Sequence, residues 1–268
     1  MAIMIDRDKC IGCGACAEVC VRGSLEVWDG CAVLAEDGCM LCGHCVAVCP
    51  MNAVSIPEYR MDLVEELTAG DLEMDPEHLR KFLAGRRSIR RYRKMAVEQE
   101  KLEAVLETGR TSPTASNRQN LRFAVIRERL PEIRELAVEA LYRNTDAIVA
   151  QIGAERYRYT LKRMHDELPR GGDRLFFGAP AVIVVIERGS GVVNGALAAS
   201  RMELMAASLG LGVCYNGFFA RAAALEPRIP ELLGMGEGDR IAVTFAVGYP
   251  DVSFLRTAPR RDLRVEWL

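Results

Sequence analysis

CIGCGACAEVC at 10–20 and CMLCGHCVAVC at 39–49 are two copies of one pattern, C-x2-C-x2-C-x3-C, and together they hold eight of the chain's ten cysteines. A cubane iron–sulfur cluster needs four thiolates converging on a small volume. Three can come from one tight loop at these spacings, and in a tandem motif the last Cys of each copy ligates the other cluster. The expected ligand sets are therefore Cys10, Cys13, Cys16 and Cys49 for cluster I, and Cys39, Cys42, Cys45 and Cys20 for cluster II, two [4Fe-4S] clusters in all. Structural zinc would instead pair two C-x2-C knuckles across a longer gap. Cys31 and Cys214 fall outside both copies and read as small buried hydrophobes. His44, inside the second loop, reads as solvent-facing.

Each copy runs into a β-branched stretch, SLEVW (24–28) or AVSI (53–56), so the first segment reads as a loop–helix–strand unit repeated. The segment resembles the bacterial two-cluster ferredoxins, which implies a small ferredoxin-like domain over residues 1–57. Pro50 follows the second copy, whereas Val21 stands where the first would carry Pro. That change loosens a turn and leaves the ligands intact.

Outward from there, 58–75 is a charged connector read as a linker. Asp75-Pro76-Glu77 then opens a helix, with a capping Asp, Pro at the first position and an acid in the first turn. The region 76–268 mixes expected helices at 76–84, 98–109, 131–150, 154–167 and 194–209 with strands at 123–126, 181–187 and 240–249. Long helices between few strands predict an α+β fold, helices packed on a sheet.

Within that region RRSIRRYRK (86–94) holds six basic residues in nine. Arg, a hydroxyl and Arg just after a helix suit a phosphate, through bidentate donors and an O–H. Further on come SPTASNRQN (112–120), APAVIVV (179–185), a long helix running into GLG (196–217), VGYP (247–250) and TAPRRDL (257–263). In this order the pieces resemble the nitroreductase family. The resemblance implies bound FMN, a homodimer with the flavin at its interface, and a 113–119 loop that comes from the partner.

Read through that resemblance, Arg86 and Ser88 with Arg260 and Arg261 bracket the flavin phosphate, and Arg87 belongs to the same segment. Arg90 stabilises negative charge near N1 and O2 of the reduced ring. Pro113, Thr114 and Ala115 form the loop in which Asn117 and Gln119 supply amide hydrogen bonds, and the Asn216–Gly217 backbone approaches N5. Asn120-Leu121 departs from the Pro-aromatic pair of many relatives, and Asn216 from the acid of some. Substrate identity is therefore not carried over.

Composition narrows the function further. The formal charge of −2 excludes a general nucleic-acid binder. It divides into −4 over residues 1–56 and +2 over the rest, so the small domain is the acidic one. No basic, apolar leader opens the chain, and apolar runs such as AVIVVI (181–186) are strand-sized. A cytoplasmic protein without membrane segments is expected. Gly210 and Gly212 give only G-x-G at the wrong end of a helix, so no separate dinucleotide domain is expected. The expected activity passes electrons from a low-potential donor, ferredoxin-type or NAD(P)H, through the clusters to FMN. From there they reach a nitro compound, quinone or activated alkene. The alternative is an electron relay or redox sensor acting on a protein partner. No protein acid or base is assigned.

Overall fold

The structure, a computed structural model, describes residues 3–35, 38–189 and 191–268. Glu36 and Asp37, counted in the acidic balance above, lie outside the described residues. The chain divides into two units. One runs to Met74 and takes in Thr114–Arg118; the other holds Asp75–Pro113 and Gln119–Leu268.

In the first unit two short helices, α1 (Ala15–Glu18) and α2 (His44–Val48), start inside the two cysteine motifs. Each is opened by a glycine, Gly14 at φ 79° or Gly43 at φ 76°, in the left-handed region that a Cβ disfavours. Strand β1 (Met4–Ile5) pairs antiparallel with β4 (Val54–Ser55), and β2 (Leu25–Trp28) with β3 (Cys31–Leu34). Ile3, Leu25, Ala32, Val54 and Ile56 pack with Cys16 and Cys45 into one core. The β2–β3 hairpin was not expected. Its turn is Asp29-Gly30, both left-handed at φ 50° and 71°, the geometry an Asp-Gly pair favours between twisted strands. Residues 58–74, expected as a linker, group with this unit. There the Asp71 carboxylate accepts from the Thr68 N–H (2.8 Å) and hydroxyl (2.6 Å), closing a capped turn.

The second unit is built on a four-stranded sheet in the order β5–β6–β8–β7, antiparallel throughout. Its strands are β5 (Leu121–Ile126), β6 (Ala181–Arg188), β7 (Gly212–Tyr215) and β8 (Asp239–Gly248). Strand β6 explains the layering. Val182, Val184 and Ile186 face one core, with Ile133, Leu161 and Phe219, while Ala181, Ile183 and Val185 face another, with Leu102, Val105 and Met202. An apolar run without alternation is thus covered on both faces, each large side chain contributing about 1.5–3 kcal/mol.

The first face carries α5 (Leu130–Arg143), α7 (Arg156–Glu167), α9 (Gly217–Leu225) and α10 (Arg228–Leu232). The second carries α4 (Gln99–Arg110) and α8 (Val193–Ser208). Helix α3 (Pro76–Gly85) begins as expected, with Asp75 Oδ1 accepting from the His78 N–H at 2.6 Å. The helix expected over 131–150 is two, α5 and α6 (Thr145–Ile152). Asn144 and Thr145 break it by turning their side chains onto the Ala140 (2.8 Å) and Tyr142 (2.7 Å) carbonyls.

Candidate functional site

Two hollows in the first unit are lined by thiols. One has Cys10, Cys13, Cys16 and Cys49 in its wall. The other has Cys39, Cys42, Cys45 and Cys20. The two walls hold the same cysteines as the two sets expected from an exchange of the fourth ligand. Helices α1 and α2 lie against each other, which brings the Cys past the end of each into the wall of the hollow beside the other's loop. Backbone N–H groups point at four sulfurs: Ala32 at Cys10 (3.4 Å), Ser24 at Cys20 (3.3 Å), Leu41 at Cys39 (3.4 Å) and Ala53 at Cys49 (3.3 Å). The Ala32 N–H draws the Cys10 thiol below its ordinary pKa, and burial pushes Cys16 and Cys45 up. Cys31 is buried behind Cys10, and His44 is exposed.

In the second unit the Arg-rich segment lies along edge strand β7. The Ile89 N–H donates to the Val213 carbonyl at 2.9 Å, and the Tyr92 hydroxyl to the Ala246 carbonyl at 3.3 Å. Ile89 and Tyr92 are buried anchors. Pinned there, Arg86, Arg87, Ser88 and Arg90 ring a hollow of about 200 Å³ that Arg260 completes from the C-terminal tail. Arg86 also donates to Glu203 at 2.8 Å, and the Glu203 side chain is 9% exposed. Arg87 lies over the Phe254 ring at 5.6 Å and Arg90 over Phe177 at 5.8 Å.

Arg90 also lines a larger cavity of about 450 Å³. Its wall includes Tyr157, Phe177, Tyr215, Gly217 and Phe218. Asp173 shapes one rim: its carboxylate accepts from the N–H groups of Leu175 (3.1 Å), Phe176 (2.7 Å) and Gly178 (3.1 Å). That knot holds Phe177 at φ 60°, which a bulky side chain seldom adopts. Asn216 secures the opposite rim. Its amide donates to the Leu175 carbonyl at 2.6 Å, its oxygen caps α9 at the Phe219 N–H (3.0 Å), and its backbone carbonyl accepts from Thr244 at 2.5 Å. A Cβ at Gly217 would meet nothing within 4 Å, so the wall is open there.

Residues 83–249 match the nitroreductase family. The chain belongs to that family. Residues 9–53 match the 4Fe-4S dicluster domain, so this nitroreductase carries an iron–sulfur domain ahead of its own. Among solved structures, a nitroreductase with bound FMN from Bacteroides fragilis NCTC 9343 is similar. Its TM-score is 0.58 at 18% identity, over 71% of this chain and 98% of that one. A nitroreductase with bound FMN from Desulfitobacterium hafniense DCB-2 gives 0.56 at 25% identity, over 72% and 100%. An FMN-dependent nitroreductase from Clostridium difficile R20291 gives 0.55 at 19%, over 73% and 100%. No curated protein matches the chain closely enough to count as a relative.

In this nitroreductase the residues singled out from sequence do not all gather in one place. Arg86, Arg87, Ser88, Arg90 and Arg260 surround the basic hollow, while Arg261 is exposed beyond its wall. Asn216 and Gly217 line the larger cavity. Pro113 and Gln119 belong to the second unit, but Thr114, Ala115 and Asn117 between them belong to the first. There Asn117 donates to the carbonyls of Met40 (3.2 Å) and Leu41 (2.7 Å). The two departures from the family pattern have structural uses. Asn120 ties the start of β5 to the Arg188 carbonyl at 2.6 Å and accepts from Asn194 at 3.1 Å. Asn216 spends its amide as a cap and latch. Sequence reading missed Glu203, Asp173 and Phe177; an acid amid the apolar residues of α8 was the visible signal for the first. No described helix is long and apolar enough to cross a membrane.

Proposed function

We propose that the chain is an FMN- and iron–sulfur-dependent oxidoreductase of the cytoplasm. Electrons from a low-potential donor would pass through two [4Fe-4S] clusters to FMN and on to an electrophilic small molecule, such as a nitro compound, quinone or activated alkene. Arg90 carries the flavin half of this reading, because it lines both the basic hollow and the larger cavity. A ligand with a dianionic tail and a planar head fits that pair of spaces. The thiol hollows carry the other half: each offers four sulfurs, with backbone N–H donors aimed at some of them.

When bound, clusters exchange single electrons and flavin accumulates two. The chain's own residues do the rest. Arg86, Arg87, Ser88 and Arg260 would hold the phosphate through charge-assisted hydrogen bonds. Arg90, stacked on Phe177, would offset negative charge on the reduced ring. The start of α9, at Gly217 and Phe218, lines the cavity at the positive end of that helix. Tyr157, Phe177 and Phe218 would give the ring apolar walls. By the family resemblance the protein is a homodimer, and Pro113, Thr114, Ala115, Asn117, Gln119 and Arg261 remain flavin-site candidates on that ground.

The test is anaerobic reconstitution followed by reduction with a low-potential ferredoxin or with NAD(P)H, reading flavin and cluster absorbance separately. Prompt flavin reduction by ferredoxin, reversed by a nitroaromatic, quinone or activated alkene, is the expected result. Prompt reduction of flavin and clusters by NAD(P)H, with no small molecule able to reoxidise them, would replace this reading with the relay.

A further inference from the structure

The peptide joining Met40 to Leu41 sits between two thiols of the second hollow, Cys39 and Cys42. Its two ends are both engaged. The Leu41 N–H points at Cys39 Sγ at 3.4 Å, and the Met40 carbonyl accepts from Asn117 Nδ2 at 3.2 Å. The same amide nitrogen donates to the Leu41 carbonyl at 2.7 Å and approaches the Tyr59 hydroxyl at 3.4 Å. Leu41 is held at φ 53°, and Asn117 itself at φ 51°, a left-handed conformation that Asn tolerates better than most residues. One side chain therefore clamps the only two carbonyls between Cys39 and Cys42, from more than seventy residues along the chain.

We propose that Asn117 is a positioning residue for cluster II, one that raises the reduction potential of the cluster held by Cys39, Cys42, Cys45 and Cys20. The inference rests on the cluster reading above. Reduction adds negative charge to a cluster, and an N–H dipole aimed at a ligand sulfur stabilises that charge. A hydrogen bond accepted at the far end of the same peptide polarises it and strengthens its N–H end. It also fixes the peptide plane, the task of groups that orient a metal's own ligands. The matching loop of cluster I is built differently. Among the described residues no side chain donates to the backbone of Ile11 or Gly12, and the Cys10 sulfur, besides the Gly12 N–H, takes one from Ala32 in β3. Asn117 thus acts on one cluster of the two.

The experiment is an anaerobic redox titration of the full-length, reconstituted protein, followed by electron paramagnetic resonance, with bound FMN measured by absorbance. Asn117→Gly removes the donor while accepting the left-handed backbone, and Asn117→Ala is the second variant. Cys20→Ser marks which signal belongs to cluster II. In both Asn117 variants the cluster II midpoint should move negative, leaving the reduced-to-oxidised ratio at the wild-type midpoint roughly three- to tenfold lower, while cluster I stays in place. Water entering the vacated space would solvate the more negative reduced cluster and move the midpoint the other way. A positive shift, an unmoved cluster II or an equal shift of both clusters overturns the proposal. Loss of FMN with both midpoints unmoved also overturns it, and returns Asn117 to the flavin loop. Wild-type protein that takes up no iron under the same treatment overturns the cluster reading together with this one.

Discussion

Arg86 has two duties that a single substitution would confound. It borders the basic hollow, and it is the partner of Glu203, whose side chain is nearly buried. Arg86→Ala should weaken FMN binding by about 1.5–3 kcal/mol, the range for hydrogen bonds to a charged group. It should also destabilise the fold, because Glu203 is left without its cation. The double variant Arg86→Ala with Glu203→Gln separates the two: melting temperature recovers, flavin affinity does not. Recovery of both would remove Arg86 from the flavin site. Glu226 makes a different, pH-dependent claim. The Arg228 guanidinium beside it, at 2.8 and 3.1 Å, together with the Arg228 N–H and Arg143, holds its carboxyl down at about 2. The unfolded value is about 4.3. A depressed folded pKa means the contribution is whole above the unfolded value and is lost as pH falls through the folded one. Urea midpoints of wild type should therefore drop more between pH 5 and pH 2.5 than those of Glu226→Gln. Parallel profiles would refute the coupling.

Two glycines on the elements that frame the cavity should respond in opposite ways. At Gly212, in β7, a Cβ would lie 2.3 Å from Ile89 Cγ1 and 2.9 Å from its Cβ. Gly212→Ala must push the anchor of the Arg-rich segment off the strand, at about 1–3 kcal/mol. Flavin retention and stability should fall together. At Gly217, the first residue of α9, the added methyl has only open space before it. Gly217→Ala should leave the flavin-free protein about as stable as wild type while FMN binds more weakly; undiminished flavin would show that nothing packs there. Such elements were unevenly legible in the sequence. β6 announced itself by an unbroken apolar run and α3 by Asp75-Pro76. β7 is four residues long and follows α8 after only a three-residue turn, so no period could develop in it. The β2–β3 hairpin left a signal, Asp29-Gly30, that went unread because the cysteine repeat on either side accounted for the segment. Ile89 and Tyr92 explain why the arginine motif was readable: two buried residues in a basic run fix which side borders the hollow. Nothing local to SPTASNRQN marks its middle as part of another unit, since that depends on Met40 and Leu41.

At the scale of the whole molecule the tandem motif predicts about eight iron and eight sulfide per chain. Anaerobically prepared protein with one tight zinc and no sulfide would end the cluster reading. Cys20→Ala should damage the cluster at Cys39, Cys42 and Cys45, because these four thiols share one hollow. Loss of the sequence-adjacent cluster instead would mean the pairing is wrong. The hold of Asn117 on Met40 and Leu41 bears on how such a protein is made. A ribosome that has finished the cysteine motifs and the turns up to Met74 has not yet made the residue that clamps the second cysteine loop. The thirty-nine residues from Asp75 to Pro113 come first. At about 5–20 residues per second that is a delay of roughly 2–8 s, longer still while the exit tunnel hides the new segment. During this interval the first cysteine loop has its hairpin to lean on, and the second lacks its Asn117 clamp. On the cluster reading proposed above, the loop of Cys10 would thus be held in place before the loop of Cys39 is.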